Sequence, residues 1–215
     1  MSQSPIAADD AALRSDVRRL GDLLGQTLVR QEGPELLALV EEVRKAVREG
    51  SGAEILGQLS VEDSVQLVRA FSTYFHLANV AEQVHRARVL AEARATGGSW
   101  LARAVDRIDA AMKAQTPGHE LTKEEITQWV SAMSVRPVFT AHPTEAARRS
   151  VLNKLGSIAD LLDDPRNPSQ QDRLAETVDL LWQTDELRLG RPEPLDEALN
   201  ALYYLDDLFT QTVPE

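Results

Sequence analysis

The chain contains no cysteine. That removes a disulfide framework, a Cys-ligated zinc site and a thiol nucleophile at once. No apolar run approaches the ~20 residues that a membrane span requires. The first ten residues lack the basic region and apolar core of a signal peptide, so the expected location is the cytoplasm. There is no HExxH motif, no glycine-rich phosphate loop and no GxSxG. Positive charge is in deficit: 23 Lys and Arg stand against 34 Asp and Glu, for a net charge of −11. Such a balance argues against general binding to nucleic acid or to an anionic membrane. It leaves an anionic substrate open, because local groups set the field at a site.

What is present is ordinary globular composition over 215 residues, 43% hydrophobic and 27% charged. Residues 1–10 read as a flexible lead-in. From Ala11 the residues Leu13, Val17, Leu20, Leu24 and Leu28 recur at spacings of three and four, one face of an amphipathic helix. Gly33-Pro34 breaks it, and Pro34 suits the first turn of a second helix that carries Leu36, Leu37, Val40, Val43 and Val47. Gly50, Ser51 and Gly52 predict a loop. Ser60 and Asp63 stand at capping distance before residues 61–96, which hold neither Gly nor Pro and predict one helix of about 50 Å. Its expected apolar face includes Val65, Val68, Phe71, Phe75 and Ala78.

A further helix is expected over residues 99–113. Thr122 and Glu125 form a capping box, and Ile126, Trp129, Val130 and Met133 predict the apolar stripe of the helix that follows. The helical pattern stops at Ser134. Residues 135–141 are short, apolar and partly β-branched, as in a buried strand. Thr144 can cap a new helix whose buried face is Val151, Leu152, Leu155, Ile158, Leu161 and Leu162. Residues 163–168 read as a surface loop, 171–187 as a helix, 190–194 as rigid turn chemistry and 195–209 as a last helix. One strand has no partner strand in the chain, and a lone strand cannot satisfy its backbone groups. Either the strand is not one or its partners lie in other sequence.

His142 is the chief chemical candidate. Pro143 biases it toward extended geometry, at the end of the strand and just before a helix, where parallel α/β architectures display reactive groups. An imidazole there can take and give protons near neutral pH. The alternative is a loop histidine bonded to a backbone carbonyl. Arg148 and Arg149, in the first two turns of the next helix, can fork onto phosphate or carboxylate, or can be a solvated pair facing acids such as Glu145. Asp185, Glu186, Arg188 and Arg191 read as a structural ion-pair network. His76 and His85 lack metal-ligand spacing and fit packing, His119 sits in a turn, and Trp100, Trp129 and Trp182 read as packing. A stand-alone helical scaffold or interaction module, with His142 kept for structure, is the reading of a different class. A small phosphohydrolase using His142 lacks a metal-ligand set and a second nucleophile.

Residues 138–145, Val-Phe-Thr-Ala-His-Pro-Thr-Glu, resemble the histidine signature of the phosphoenolpyruvate carboxylase family. Four further stretches are similar to the family in its order. They are Asp-Val-Arg-Arg-Leu-Gly-Asp-Leu-Leu-Gly at 16–25, Leu-Val-Arg-Ala-Phe-Ser at 67–72, Leu-Ala-Asn-Val-Ala-Glu-Gln-Val-His-Arg at 77–86, and Trp-Gln-Thr-Asp-Glu-Leu-Arg at 182–188 followed by Arg191 and Pro192. The resemblance implies a mostly α-helical chain that forms the N-terminal part of a helix-rich (β/α)8 barrel, with the first barrel strand at about 135–142. It implies a flexible segment 1–10, a helical region 11–133, and a region 134–215 that holds the first strand and following helices, short of the rest of the barrel.

The resemblance further implies an enzyme that makes oxaloacetate and phosphate from phosphoenolpyruvate and bicarbonate with magnesium or manganese, as a homotetramer. The metal-binding acids, a catalytic lysine and a glycine-rich arginine loop would lie beyond residue 215, so the isolated chain is expected to be inactive. His142 matches the family's catalytic histidine, and Arg148 and Arg149 match a pair implicated in binding an anionic activator in some relatives. Ser2 and Ser4 lack the basic context of the regulatory phosphoserine of plant members.

Overall fold

The computed structural model describes residues 10–95, 100–115, 122–134, 136, 148–163, 168–187, 190 and 193–207. Among the described residues there are nine helices and no strand. They are α1 (Asp10–Gln31), α2 (Pro34–Glu49), α3 (Gly52–Leu56), α4 (Val61–Ala95), α5 (Trp100–Gln115), α6 (Lys123–Ala132), α7 (Arg149–Asp163), α8 (Pro168–Trp182) and α9 (Pro194–Asp207). The strand expected at 135–142 lies, apart from the exposed and non-helical Arg136, outside the described residues. So does the Thr144 cap.

The chain divides into two compact units. One comprises Met1–Leu90 with Ala147–Leu187, the other Ala91–Ala146 with Arg188–Glu215.

The first unit is built on short-range chemistry that the sequence spells out. Pro34 opens α2, and Gly50 closes it in the left-handed region at φ 83°. There the Ser51 amide donates to the Ala46 carbonyl (2.9 Å) and the Gly50 amide to Val47 (3.3 Å), the paired bonds of a Schellman close. The expected loop is shorter than its glycines suggest, because α3 starts at Gly52. A Cβ at Gly52 would meet Val47 Cγ2 at 2.6 Å and Val47 Cα at 3.2 Å, so glycine is what lets the two helices turn so tightly. At the start of α4 the Asp63 amide donates to Ser60 Oγ (3.0 Å) while that hydroxyl donates to Asp63 Oδ2 (2.6 Å).

The core of this unit forms where α7 packs on α8, α8 on α1 and α1 on α2. Leu20, Leu24 and Leu28 of α1 meet Leu174, Val178, Leu181 and Trp182 of α8 and Val151, Ile158, Leu161 and Leu162 of α7, as the periodicity predicts. Leu152 and Leu155 are only partly buried. Burying each such side chain contributes about 1.5–3 kcal/mol.

The apolar face of α4 is not the one its valines and phenylalanines suggest. Val65, Val68 and Phe75 are exposed at 62%, 68% and 60%. The buried stripe is Leu67, Ala70, Thr73, Leu77, Val80, Ala81 and Val84. Both stripes run at helical spacing on one long helix. Tyr74 of α4 lies over Gly21 of α1, where an added Cβ would meet its ring at 3.5 Å.

The second unit contains the last turn of α4 and α5, α6 and α9. The capping box of α6 forms as predicted: the Glu125 amide donates to Thr122 Oγ1 (3.2 Å) and the Thr122 amide to Glu125 Oε2 (2.9 Å). Its apolar stripe does not become core. Trp129, Val130 and Met133 are exposed, and no residue of α6 is buried. Local capping needs only neighbouring residues, whereas burial needs a partner face.

Candidate functional site

The most connected polar region lies in the first unit, where the end of α8 passes between α1 and α4. The sequence predicts helix to residue 187, but α8 ends at Trp182. Nothing in residues 183–187 forbids helix by propensity. Tertiary partners take the chain instead. Arg69 of α4 stacks its guanidinium 4.2 Å from the Trp182 ring centroid and also donates to the Trp182 carbonyl. The Trp182 indole N–H donates to Glu32 Oε1 (2.9 Å), and Gln183 Nε2 to Gln31 Oε1 (2.8 Å). One turn earlier, the buried Thr27 hydroxyl donates to Asp179 Oδ1 (2.5 Å), which Arg30 Nη2 also reaches (2.7 Å). Partial burial works to raise the Asp179 pKa, but those two donors outweigh it and hold the carboxyl below its ordinary value.

Past Trp182 the chain is held from α4 and from the start of α7. Glu186 accepts the Ser72 hydroxyl at 3.1 and 3.0 Å on its two oxygens, and its Oε1 lies 2.7 Å from His76 Nε2. The Glu186 carbonyl accepts the Arg148 amide (3.0 Å), and the Leu187 carbonyl accepts Arg148 Nε (2.8 Å). Arg148 Nη2 is 3.6 Å from Asp185 Oδ2. The Arg148 carbonyl in turn accepts the amides of Val151 (2.9 Å) and Leu152 (3.3 Å), which starts α7.

At the other end of α7, Arg88 of α4 donates to the Leu162 carbonyl (2.6 Å), Asp16 (2.7 Å) and Asp163 (2.9 Å). Desolvation lowers the Arg88 pKa, but the two carboxylates more than offset it, so the net shift is upward. Arg88 therefore ties α1, α4 and α7 together as a fixed cation.

His142 lies outside the described residues, as do Arg188 and Arg191 of the expected charged cluster. Arg148, expected inside the new helix, instead stands just before it and is committed to the 185–187 segment. Arg149 is the first residue of α7 and is exposed. The residues that sequence reasoning passed over are Ser72 and His76. Their spacing of one helical turn was the available signal, since it puts both on one face of α4. Their partner Glu186 is 110 residues away from His76 in sequence, which no local pattern can supply. Among the described residues there is no group of three or more His, Cys, Asp or Glu able to hold a metal ion. No helix among them is long and apolar enough to cross a membrane.

Fold and site together define a helical scaffold whose polar contacts hold residues 182–187 and Arg148, which follows the 138–145 motif in sequence. The family model described as Phosphoenolpyruvate carboxylase matches residues 13–215. Curated relatives of that name agree. The protein of Xanthomonas oryzae pv. oryzae is 36% identical over 97% of this chain and 24% of its own length. That of Azorhizobium caulinodans is 38% identical over 95% of this chain and 24% of its own length. That of a Thermus species is 37% identical over 95% and 24%. The chain belongs to the phosphoenolpyruvate carboxylase family. It spans about a quarter of the length of the curated relatives it matches.

Proposed function

We propose that this chain is the N-terminal part of a phosphoenolpyruvate carboxylase, a lyase that forms oxaloacetate and phosphate from phosphoenolpyruvate and bicarbonate. The observation that carries this reading is the family match across residues 13–215, with the 138–145 motif inside it. In this reading residues 135–142 are the first strand of a (β/α)8 barrel whose other strands belong to the rest of the enzyme. The whole protein is a cytoplasmic homotetramer.

Bicarbonate attacks the phosphoryl group of phosphoenolpyruvate, which gives carboxyphosphate and the enolate of pyruvate. Carboxyphosphate loses its proton and breaks into carbon dioxide and phosphate, and the enolate carbon then attacks the carbon dioxide. His142 accepts the carboxyphosphate proton, a role suited to an imidazole with an ordinary pKa of about 6.5. Arg148 and Arg149 are the residues of this chain placed to favour an anionic effector. Arg148 also holds residues 185–187. The described residues offer no ligand set for the magnesium or manganese that the family resemblance implies. The chemistry assigned to this chain is that of its own side chains, and the chain alone is inactive.

The test is to replace His142 with Asn in the whole carboxylase. A base needed only after carboxyphosphate forms predicts that oxaloacetate production falls by at least a hundredfold, while bicarbonate-dependent phosphate release persists. Equal loss of both products would place His142 at the phosphoryl-transfer step instead. Unchanged oxaloacetate production would remove it from the mechanism.

A further inference from the structure

Glu186 joins α4 to the start of α7 through two different parts of the same residue. Its carboxylate faces α4, where it takes Ser72 Oγ at 3.1 and 3.0 Å and His76 Nε2 at 2.7 Å. A carboxylate can only accept, so Nε2 carries the hydrogen in this contact. Its backbone faces α7, where the Glu186 and Leu187 carbonyls take the amide and the Nε of Arg148.

The serine and histidine both end on the carboxylate. A nucleophilic triad would instead place the histidine between the hydroxyl and the acid, so this is not one. On α4, Thr73 and Val80 are buried on either side of His76. The pair is also set apart from ordinary surface ion pairs by what lies downstream: Arg148 immediately precedes α7 and stands six residues after His142 in sequence.

We propose that His76 is a positioning residue for the chemistry of His142: through the Glu186 carboxylate it fixes the backbone to which Arg148 is bonded, and so the anchor of the segment that carries the reacting histidine. This rests on the carboxylase reading above. The imidazole touches no substrate in this role. It acts on the chain at Arg148, six residues from His142 in sequence, and a reacting group must meet its substrate within a fraction of an ångström.

The experiment compares His76→Ala, His76→Gln, Ser72→Ala and Val43→Ala in the whole carboxylase. Hydrogen exchange is read on peptides covering 148–152, together with kcat, KM for phosphoenolpyruvate and the thermal midpoint. His76→Ala is expected to speed exchange at the Arg148 amide and to lower kcat by on the order of tenfold to a hundredfold, with KM nearly unchanged. His76→Gln keeps a donor at the Nε2 position and should recover most of both effects. Ser72→Ala, which removes the weaker of the two holds, should show the same pattern at smaller size and stands in if His76→Ala does not fold. Val43→Ala, on the buried face of α2 and outside these contacts, should lower the thermal midpoint without changing kcat of the folded enzyme.

Unchanged exchange at Arg148 in His76→Ala overturns the proposal. So does faster exchange with unchanged kcat, and so does a kcat loss that Gln does not rescue. A wild-type enzyme without carboxylase activity would instead refute the functional reading, and the exchange measurement would still decide whether His76 holds the Arg148 anchor.

Discussion

The two units of this chain are made of equally amphipathic helices and have opposite interiors. In the first unit α1, α7 and α8 bring Leu20, Ile158, Leu174 and Trp182 together at 1% exposure or less. In the second, none of the side chains whose burial is described is buried, and Leu195, Leu199, Leu202 and Tyr203 of α9 are exposed along with Trp129 and Val130 of α6 and Met133 just after it. An apolar stripe is a requirement for burial and does not itself bury anything. In the first unit the stripes of α1, α7 and α8 face one another, and the polar groups near the core find partners too: Thr27 with Asp179, Arg69 with Trp182, Glu186 with Ser72 and His76. The long-range polar bonds described above all belong to that unit.

Paired substitutions test the contrast most strongly. Trp182→Ala removes a buried ring, its indole bond to Glu32 and the surface on which Arg69 stacks. It should cost about 3–5 kcal/mol in urea-unfolding free energy. Leu199→Ala on α9 should cost less than about 0.5 kcal/mol. A loss at Leu199 as large as that at Trp182 would break the comparison, since it would mean that the second unit has a core after all.

A smaller effect is expected at the α2 turn. Gly50→Ala puts a Cβ on a residue at φ 83°, with free space around it, so the cost is conformational alone. It should be about 1 kcal/mol, read as a lower thermal midpoint. A larger loss would show that the Schellman close supports more than α2.

The smallest effect is the acid sensitivity of the α1–α8 contact. The folded Asp179 carboxyl sits below its ordinary value. Its stabilising contribution is therefore full above the unfolded value of about 3.9 and is lost as pH falls through the lower folded value. With the group part-exposed, that contribution should not exceed about 1 kcal/mol. Asp179→Asn should lower stability at neutral pH and bring the variant closer to wild type below pH 3. An equal gap at both pH values would show that the ion pair is not the source.

What could be read locally was read well. The helices α1, α2, α4, α5 and α9 fall within a few residues of where their periodicity places them, and the Ser60 and Thr122 caps form the bonds that their spacing predicts. The family resemblance was legible in five short stretches and is shown by the match over residues 13–215. The site was legible only in part. Arg148 was singled out for its guanidinium, yet its amide and carbonyl matter as much, because they join Glu186 to the start of α7. His76 was read as packing because its partner is remote.

Sequence by itself determined where this chain is helical, how its helices are capped, and which family it belongs to. These depend on hydrogen bonds and side-chain patterns within a few residues of one another. Tertiary structure alone decided which of the two apolar stripes of α4 turned inward, that α8 stops at Trp182, and that Ser72, His76 and Arg148 converge on Glu186. Each of those outcomes is a competition between local preference and a partner far along the chain. Packing and charge-assisted bonds to Arg69 and Arg148 outweigh the few tenths of a kcal/mol per residue that helix propensity offers.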